Sequence, residues 1–79
     1  MKTCQIKLSS IQDVREFVDI VTGYDIEIDL SSGRYVVDAK SIMGIFSLNL
    51  SQPIELAIHS DNDEACEKFL SKISSFIVA

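Results

Sequence analysis

The chain has 79 residues, which suit one small domain spanning residues 1–79, and its hydrophobic fraction of 47% indicates a folded protein. Its net charge of −5 argues against nucleic acid and membranes as ligands, since both attract clustered Lys and Arg, and favours basic protein surfaces. No apolar run approaches the ~20 residues of a membrane span, and no secretory signal follows Lys2, so we expect a cytoplasmic protein.

The first quarter of the chain predicts a strand followed by a helix. Residues 2–8 alternate between apolar and polar side chains, which is typical of a half-buried strand. Ser10 can cap a helix, and Asp13 stands three residues later with the spacing of a capping box. Gly23 is suited to end this helix. Its core-facing stripe is predicted to consist of Ile11, Val14, Phe17, Val18 and Val21.

The next stretch predicts an antiparallel hairpin. Residues 24–30 alternate between apolar residues and the carboxylates Asp25, Glu27 and Asp29, so one face of this strand should be buried and the other solvated. Gly33 supplies the positive φ that a tight turn needs. A second strand over residues 34–39 then returns beside the first.

Residues 39–48 carry the most unusual pattern in the chain. Ser41 is placed to cap a short helix that we expect to run to Leu48. The helix is too short to bury all of its apolar residues on one stripe. We therefore predict that some of them form an exposed patch for a protein partner, the alternative being that all four belong to the core. The four candidates are Ile42, Met43, Ile45 and Phe46.

The last third predicts one strand and one helix. Residues 54–59 alternate, and Asp61 with Glu64 has capping-box spacing for a final helix. The complete order is β-α-β-β-α-β-α, which favours an α+β fold with a four-stranded antiparallel sheet and its helices on one face. The stripe of the final helix should contain Ala65, Phe69, Leu70, Ile73, Phe76 and Ile77.

The residues offer little that would support catalysis. His59, the only histidine, falls on the solvated face of its strand, the face that also carries Glu55, with no nucleophile or second base nearby in the sequence. Cys4 and Cys66 lack metal-ligand spacing and are expected to be reduced, packed thiols. There is no glycine-rich phosphate loop. From the residues alone we predict a small binding module that is not an enzyme and needs no metal or cofactor.

The string Ala-Lys-Ser-Ile-Met-Gly at residues 39–44, with Ser47-Leu48 after two further residues, resembles the histidine-containing phosphocarrier (HPr) family of the bacterial sugar phosphotransferase system. The resemblance implies the family's open-faced β-sandwich. The family's phosphocarrier histidine begins the first helix in a Gly-Leu-His-Ala-Arg-Pro string. Counting back from Phe17 puts Ser10 in place of the histidine, Gln12 in place of the arginine and Asp13 in place of the proline, which implies that phosphoryl relay is lost.

The family's second site matches this chain. In many members the serine of this string is phosphorylated by a kinase, so the resemblance implies that Ser41 is a regulatory phosphorylation site. It also implies protein partners: the serine kinase, a transcriptional regulator or phosphotransferase components. We therefore expect a non-catalytic HPr-like regulatory protein, similar to the catabolite-repression members. The alternatives are a phosphocarrier with a non-standard acceptor and a divergent protein that keeps only the fold.

Overall fold

The computed structural model describes residues 2–78, which contain both α-helices and β-strands. Within these residues no helix has the length and apolar character needed to cross a membrane. The elements in chain order are β1 (Lys2–Ile6), α1 (Ile11–Thr22), β2 (Glu27–Ser32), β3 (Tyr35–Asp38), α2 (Ile42–Phe46), β4 (Ile54–His59), α3 (Asp63–Lys72), a 3-10 turn (Ser74–Phe76) and β5 (Ile77–Val78).

The strands form one antiparallel sheet in the order β3-β2-β4-β1-β5. The predicted α+β fold is confirmed, with a fifth strand in addition to the predicted four. That strand corrects the expectation that Phe76 and Ile77 continue the last helix. The Lys7 N–H donates to the Phe76 carbonyl at 2.8 Å, and Ile77 pairs with Ile6. The β-branched Ile77 and Val78 suit this strand better than a helix.

One face of the sheet is buried under the helices. Alternation places Ile28 and Leu30 of β2 and Leu56 and Ile58 of β4 in the core, each at most 1% exposed. Phe17 of α1 meets Phe76 edge to face, with ring centroids 6.2 Å apart. Among residues 2–78, no polar or charged residue is buried. The opposite face of the sheet is therefore the solvated one, as the alternation predicts.

The ends of several elements differ from the prediction. The α3 helix is capped by Asn62, one residue after the predicted Asp61, and the Ala65 N–H donates to Asn62 Oδ1 at 3.1 Å. The α2 helix ends at Phe46, two residues before the predicted Leu48. The predicted turn residue Gly33 has a φ of +60°. These differences change where elements end but not which elements exist.

Candidate protein-binding site

The turn between β3 and α2 holds Ser41 in a fixed position. The Asp38 carbonyl accepts the Ser41 N–H at 2.9 Å, and Asp38 Oδ1 accepts the Lys40 N–H at 2.8 Å. Ala39, which lies between Asp38 and Lys40 in the sequence, is fully buried, and its N–H donates to the Ile28 carbonyl at 2.9 Å. These bonds tie the start of α2 to β2 and to the end of β3.

Ser41 is the N-cap of α2, as predicted, and it is exposed to solvent. Its Oγ accepts the Gly44 N–H at 3.1 Å, and its carbonyl accepts the Ile45 N–H at 3.0 Å. The side chain therefore satisfies one of the free amides of the first helical turn.

Gly44 lets α2 lie close to β3. A Cβ at this position would lie 3.0 Å from Ser41 Oγ and 3.2 Å from Val37 Cβ. Both distances are shorter than ordinary van der Waals contact. Glycine suits this position because of the close approach and not because of its φ, since Gly44 is helical and its φ is not positive.

The four apolar candidates of α2 separate into two groups. Met43 is 76% exposed and Phe46 is 41% exposed, while Ile42 is half-buried against the core. Ile45 has no exposed surface, which corrects its assignment to a partner-binding patch. The helical period explains the difference, since Ile45 turns toward the sheet with Leu48 while its neighbours point outward or sideways. The expected patch therefore consists of Ile42, Met43 and Phe46.

A shallow hollow joins this patch to the start of α1. Its volume is about 390 Å³, and Phe46 of the patch and Ser10 of the α1 cap are among the residues that line it. Ile11 also lines it and is 67% exposed, so the prediction that Ile11 belongs to the core stripe is wrong. We call Ile11, Ile42, Met43 and Phe46 together the α1–α2 surface.

Ser10 caps α1 and has no imidazole beside it. Its Oγ accepts the Asp13 N–H at 3.1 Å, and Asp13 Oδ2 accepts the Ser9 N–H at 2.9 Å. The Asp13 carboxylate thus accepts a hydrogen bond from a backbone amide at the helix start, and its negative charge repels an incoming phosphate. The nearby Lys7 ammonium lies in the same hollow and donates to the Leu50 carbonyl at 2.9 Å.

His59 lies on the solvated face of the sheet. Its Nε2 is 2.7 Å from Asp29 Oδ2, so its partner is on the neighbouring strand β2 and is not the Glu55 of its own strand. Both side chains are about one-third exposed. Because α1 and α2 cover the other face, His59 contributes nothing to the α1–α2 surface.

The cysteines are free thiols. Cys66 is fully buried, and burial raises the pKa of the partly buried Cys4 thiol. Across residues 2–78, no group of three or more His, Cys, Asp and Glu side chains is arranged to hold a metal ion.

Comparisons with known proteins agree on one family. The family model described as "PTS HPr component phosphorylation site" matches residues 12–78, so the match begins two residues after Ser10. A search of curated protein sequences finds no match.

Several solved structures share the fold. HPr-C-His from Thermoanaerobacter tengcongensis is 29% identical with a TM-score of 0.75, and the alignment covers 95% of this chain and 93% of that one. The phosphocarrier protein HPr from Bacillus anthracis is 28% identical with a TM-score of 0.65, covering 90% and 92%. The catabolite repression protein Crh of Bacillus subtilis has a TM-score of 0.64 and covers 94% and 88%. At 23% identity, it shows likeness of fold alone.

Proposed function

We propose that this chain, which belongs to the HPr family, works as a regulatory protein-binding module and not as a phosphoryl carrier. The α1–α2 surface docks onto a partner protein, and phosphorylation of Ser41 switches that contact. The observation that carries this proposal is the exposed residue Ser41 at the cap of α2, two residues before Met43, which is 76% exposed.

The start of α1 argues against phosphoryl relay. An imidazole forms a labile phosphoramidate that passes its phosphoryl group on, whereas a serine forms a stable ester. Ser10 stands in place of the family's histidine, and its hydroxyl already caps the helix. The Asp13 carboxylate adds negative charge at the same end of the helix. His59 is held by Asp29 on the opposite face of the sheet.

Phosphorylation of Ser41 is compatible with this fold. The phosphate would carry a charge of about −1.5 to −2 at pH 7, and the amides at the start of α2 favour negative charge there. The helix therefore need not unfold. The new charge would instead change the electrostatic field beside Ile42 and Met43, so a partner that prefers an uncharged apolar surface is released and one with a basic rim is attracted.

The kind of partner follows from charge and from family. The chain carries a net charge of −5, which favours a partner with a basic surface. We propose a serine kinase as the enzyme that modifies Ser41. A transcriptional regulator or a component of the phosphotransferase system is the proposed docking partner.

The test is phosphorylation by a purified HPr serine kinase with ATP, followed by mass spectrometry of the intact protein and its peptides. We expect one phosphate on Ser41 of the wild-type chain and none on Ser41→Ala. Ser47→Ala is the matched control, because Ser47 is an exposed serine at the other end of the same helix. Equal labelling of the Ser41→Ala and wild-type proteins would refute the switch.

A further inference from the structure

The outer edge of the sheet at β3 is apolar and open. The strand order places β3 at one end of the sheet, with β2 as its only neighbour among the described strands. Tyr35 is 69% exposed and Val36 is 65% exposed. An edge strand presents main-chain N–H and C=O groups that a further strand can pair with, and none of the strands within residues 2–78 pairs with this edge.

The hairpin geometry determines which main-chain groups face outward. Ser32 pairs with Tyr35 across the two-residue turn, and such a closing pair exchanges both of its hydrogen bonds. The Ala39 N–H also points back to β2, where it donates to the Ile28 carbonyl. Because the main-chain hydrogen-bonding groups of successive residues in a strand point in alternate directions, those of residues 35, 37 and 39 point toward β2. The N–H groups of Val36 and Asp38 and the Val36 carbonyl therefore face away from the sheet.

We propose that a second copy of this chain pairs with the edge, so that two β3 strands run antiparallel around Val36. In this register Val36 faces the same residue of the second copy, and Tyr35 faces the second copy's Val37. Arg34 faces the second copy's Asp38, and the two-fold symmetry repeats this opposite-charge pair. The Tyr–Val and Arg–Asp pairs are cross-strand combinations that stabilise a sheet.

The side chains are available for these pairs. Among residues 2–78, Arg34 forms no ion pair, and it is exposed. Asp38 is also exposed and gives only Oδ1 to the Lys40 N–H, which leaves Oδ2 for a guanidinium. The Asp38 carbonyl is already bonded to the Ser41 N–H, so the new ladder relies on the Val36 groups and on the Asp38 N–H.

Other registers are less favourable. Sliding one β3 strand along the other by a single residue would place main-chain groups that point outward opposite groups that point toward β2. The hydrogen bonds between the two β3 strands could then not form. A register centred on Arg34 or on Asp38 places like charges directly opposite each other. Registers centred on Tyr35 or Val37 keep the hydrogen bonds between the strands, but neither Arg34 nor Asp38 then faces a residue of opposite charge. The register around Val36 is the one that satisfies both the hydrogen bonds and the charges.

Cysteine cross-linking tests both the edge and the register. In a Cys4→Ala background, Val36→Cys should form a disulfide-linked dimer under mild oxidation, because facing hydrogen-bonded residues have Cα atoms about 5.5 Å apart, within disulfide range. Tyr35→Cys is the matched control on the same strand. In that variant the cysteines of the two copies would have Cα atoms about 8 Å apart, so we expect at least about tenfold less cross-linked dimer than from Val36→Cys. Equal yields, or more dimer from Tyr35→Cys, would overturn the proposal.

A charge exchange tests the ion pairs without covalent chemistry. Sedimentation equilibrium of the wild-type chain should show the mass rising with concentration from 8.8 kDa toward twice that value. Arg34→Asp and Asp38→Arg should each raise the dimer Kd about tenfold, because each places like charges opposite each other twice. An equimolar mixture of the two variants should restore dimerisation, since every pair is then of opposite charge.

Two further results would contradict the proposal. One is a wild-type chain that stays monomeric up to millimolar concentration, which would leave the edge to a strand of another protein or to none. The other is a mixture of the two charge variants that dimerises no better than either alone. Circular dichroism of each variant establishes that it is folded. If Asp38→Arg is not folded, the cross-linking experiment decides by itself.

Discussion

Replacing Gly44 with alanine should destabilise the protein, although glycine to alanine inside a helix ordinarily stabilises it by about 1 kcal/mol. The added Cβ would lie 3.0 Å from Ser41 Oγ and 3.2 Å from Val37 Cβ. Ser41 can rotate away, but it then loses the bond from the Gly44 N–H, and losing a cap costs about 1 kcal/mol. Val37 belongs to a strand, and moving it apart from α2 costs about 1–3 kcal/mol.

The helix-propensity gain and the two costs together give a net loss of about 1–3 kcal/mol in the free energy of unfolding. Urea denaturation followed by circular dichroism measures it, and for a domain of this size each kcal/mol lowers Tm by about 4–8 °C. Gly23→Ala is the matched control. Gly23 ends α1 with a φ of −78° and a Cβ there meets only the Ile20 carbonyl at 3.3 Å. That change should leave stability within about 1 kcal/mol of wild type.

A double-mutant cycle isolates the cap. In a Ser41→Ala background the oxygen that obstructs the new Cβ is absent, so Gly44→Ala should cost about 1 kcal/mol less there than in the wild-type chain. A Gly44→Ala protein that is more stable than wild type would refute the close approach of α2 to β3. Simple additivity of the two substitutions would refute the role of Ser41 in it.

Three further predictions concern the core, the missing carrier site and a thiol. Ile45→Ala should lower the free energy of unfolding by about 2–5 kcal/mol, whereas Met43→Ala should change it by at most about 0.5 kcal/mol; equal losses in denaturation experiments would contradict the burial of one and the exposure of the other. Incubation with enzyme I and phosphoenolpyruvate should give no acid-labile phosphoprotein, and a phosphorylated His59 in the mass spectrum would show a carrier after all. Iodoacetamide should alkylate Cys4 of the folded chain with a pH midpoint above that of the urea-unfolded chain, because burial raises the pKa of this thiol; coincident midpoints would show that burial does not act on it.

The alternation of side chains was sufficient to predict the strands that form the core. Ile28 and Leu30 are buried where the period of two places them, because one face of an antiparallel sheet packs against helices and the other does not. The caps at Ser10 and Ser41 were predictable for a similar reason, since they depend only on residues three positions apart. At these two caps the local rule succeeds because the interaction itself is local.

The features that sequence reasoning missed depend on distant residues. Ile45 and Met43 are both apolar, and the position of the sheet beneath α2 decides which side of the helix is buried. Asp29 reaches His59 from thirty residues away, on a strand whose register no local pattern specifies. The fifth strand likewise exists because β1 offers an edge for Ile77 and Val78.

The central position of β4 has a consequence for how the chain acquires its structure. This strand hydrogen-bonds to both β1 and β2, and Lys2 pairs with Ile58 across most of the chain. A nascent chain that has emerged only to Leu50 can form α1 and the β2–β3 hairpin, but β1 has no strand to pair with. The sheet therefore closes only after residues 54–59 leave the ribosome. Such distant pairings make folding slower than in helical proteins of this size. A chain that stalls before β4 is made leaves the apolar faces of β1 and β2 exposed.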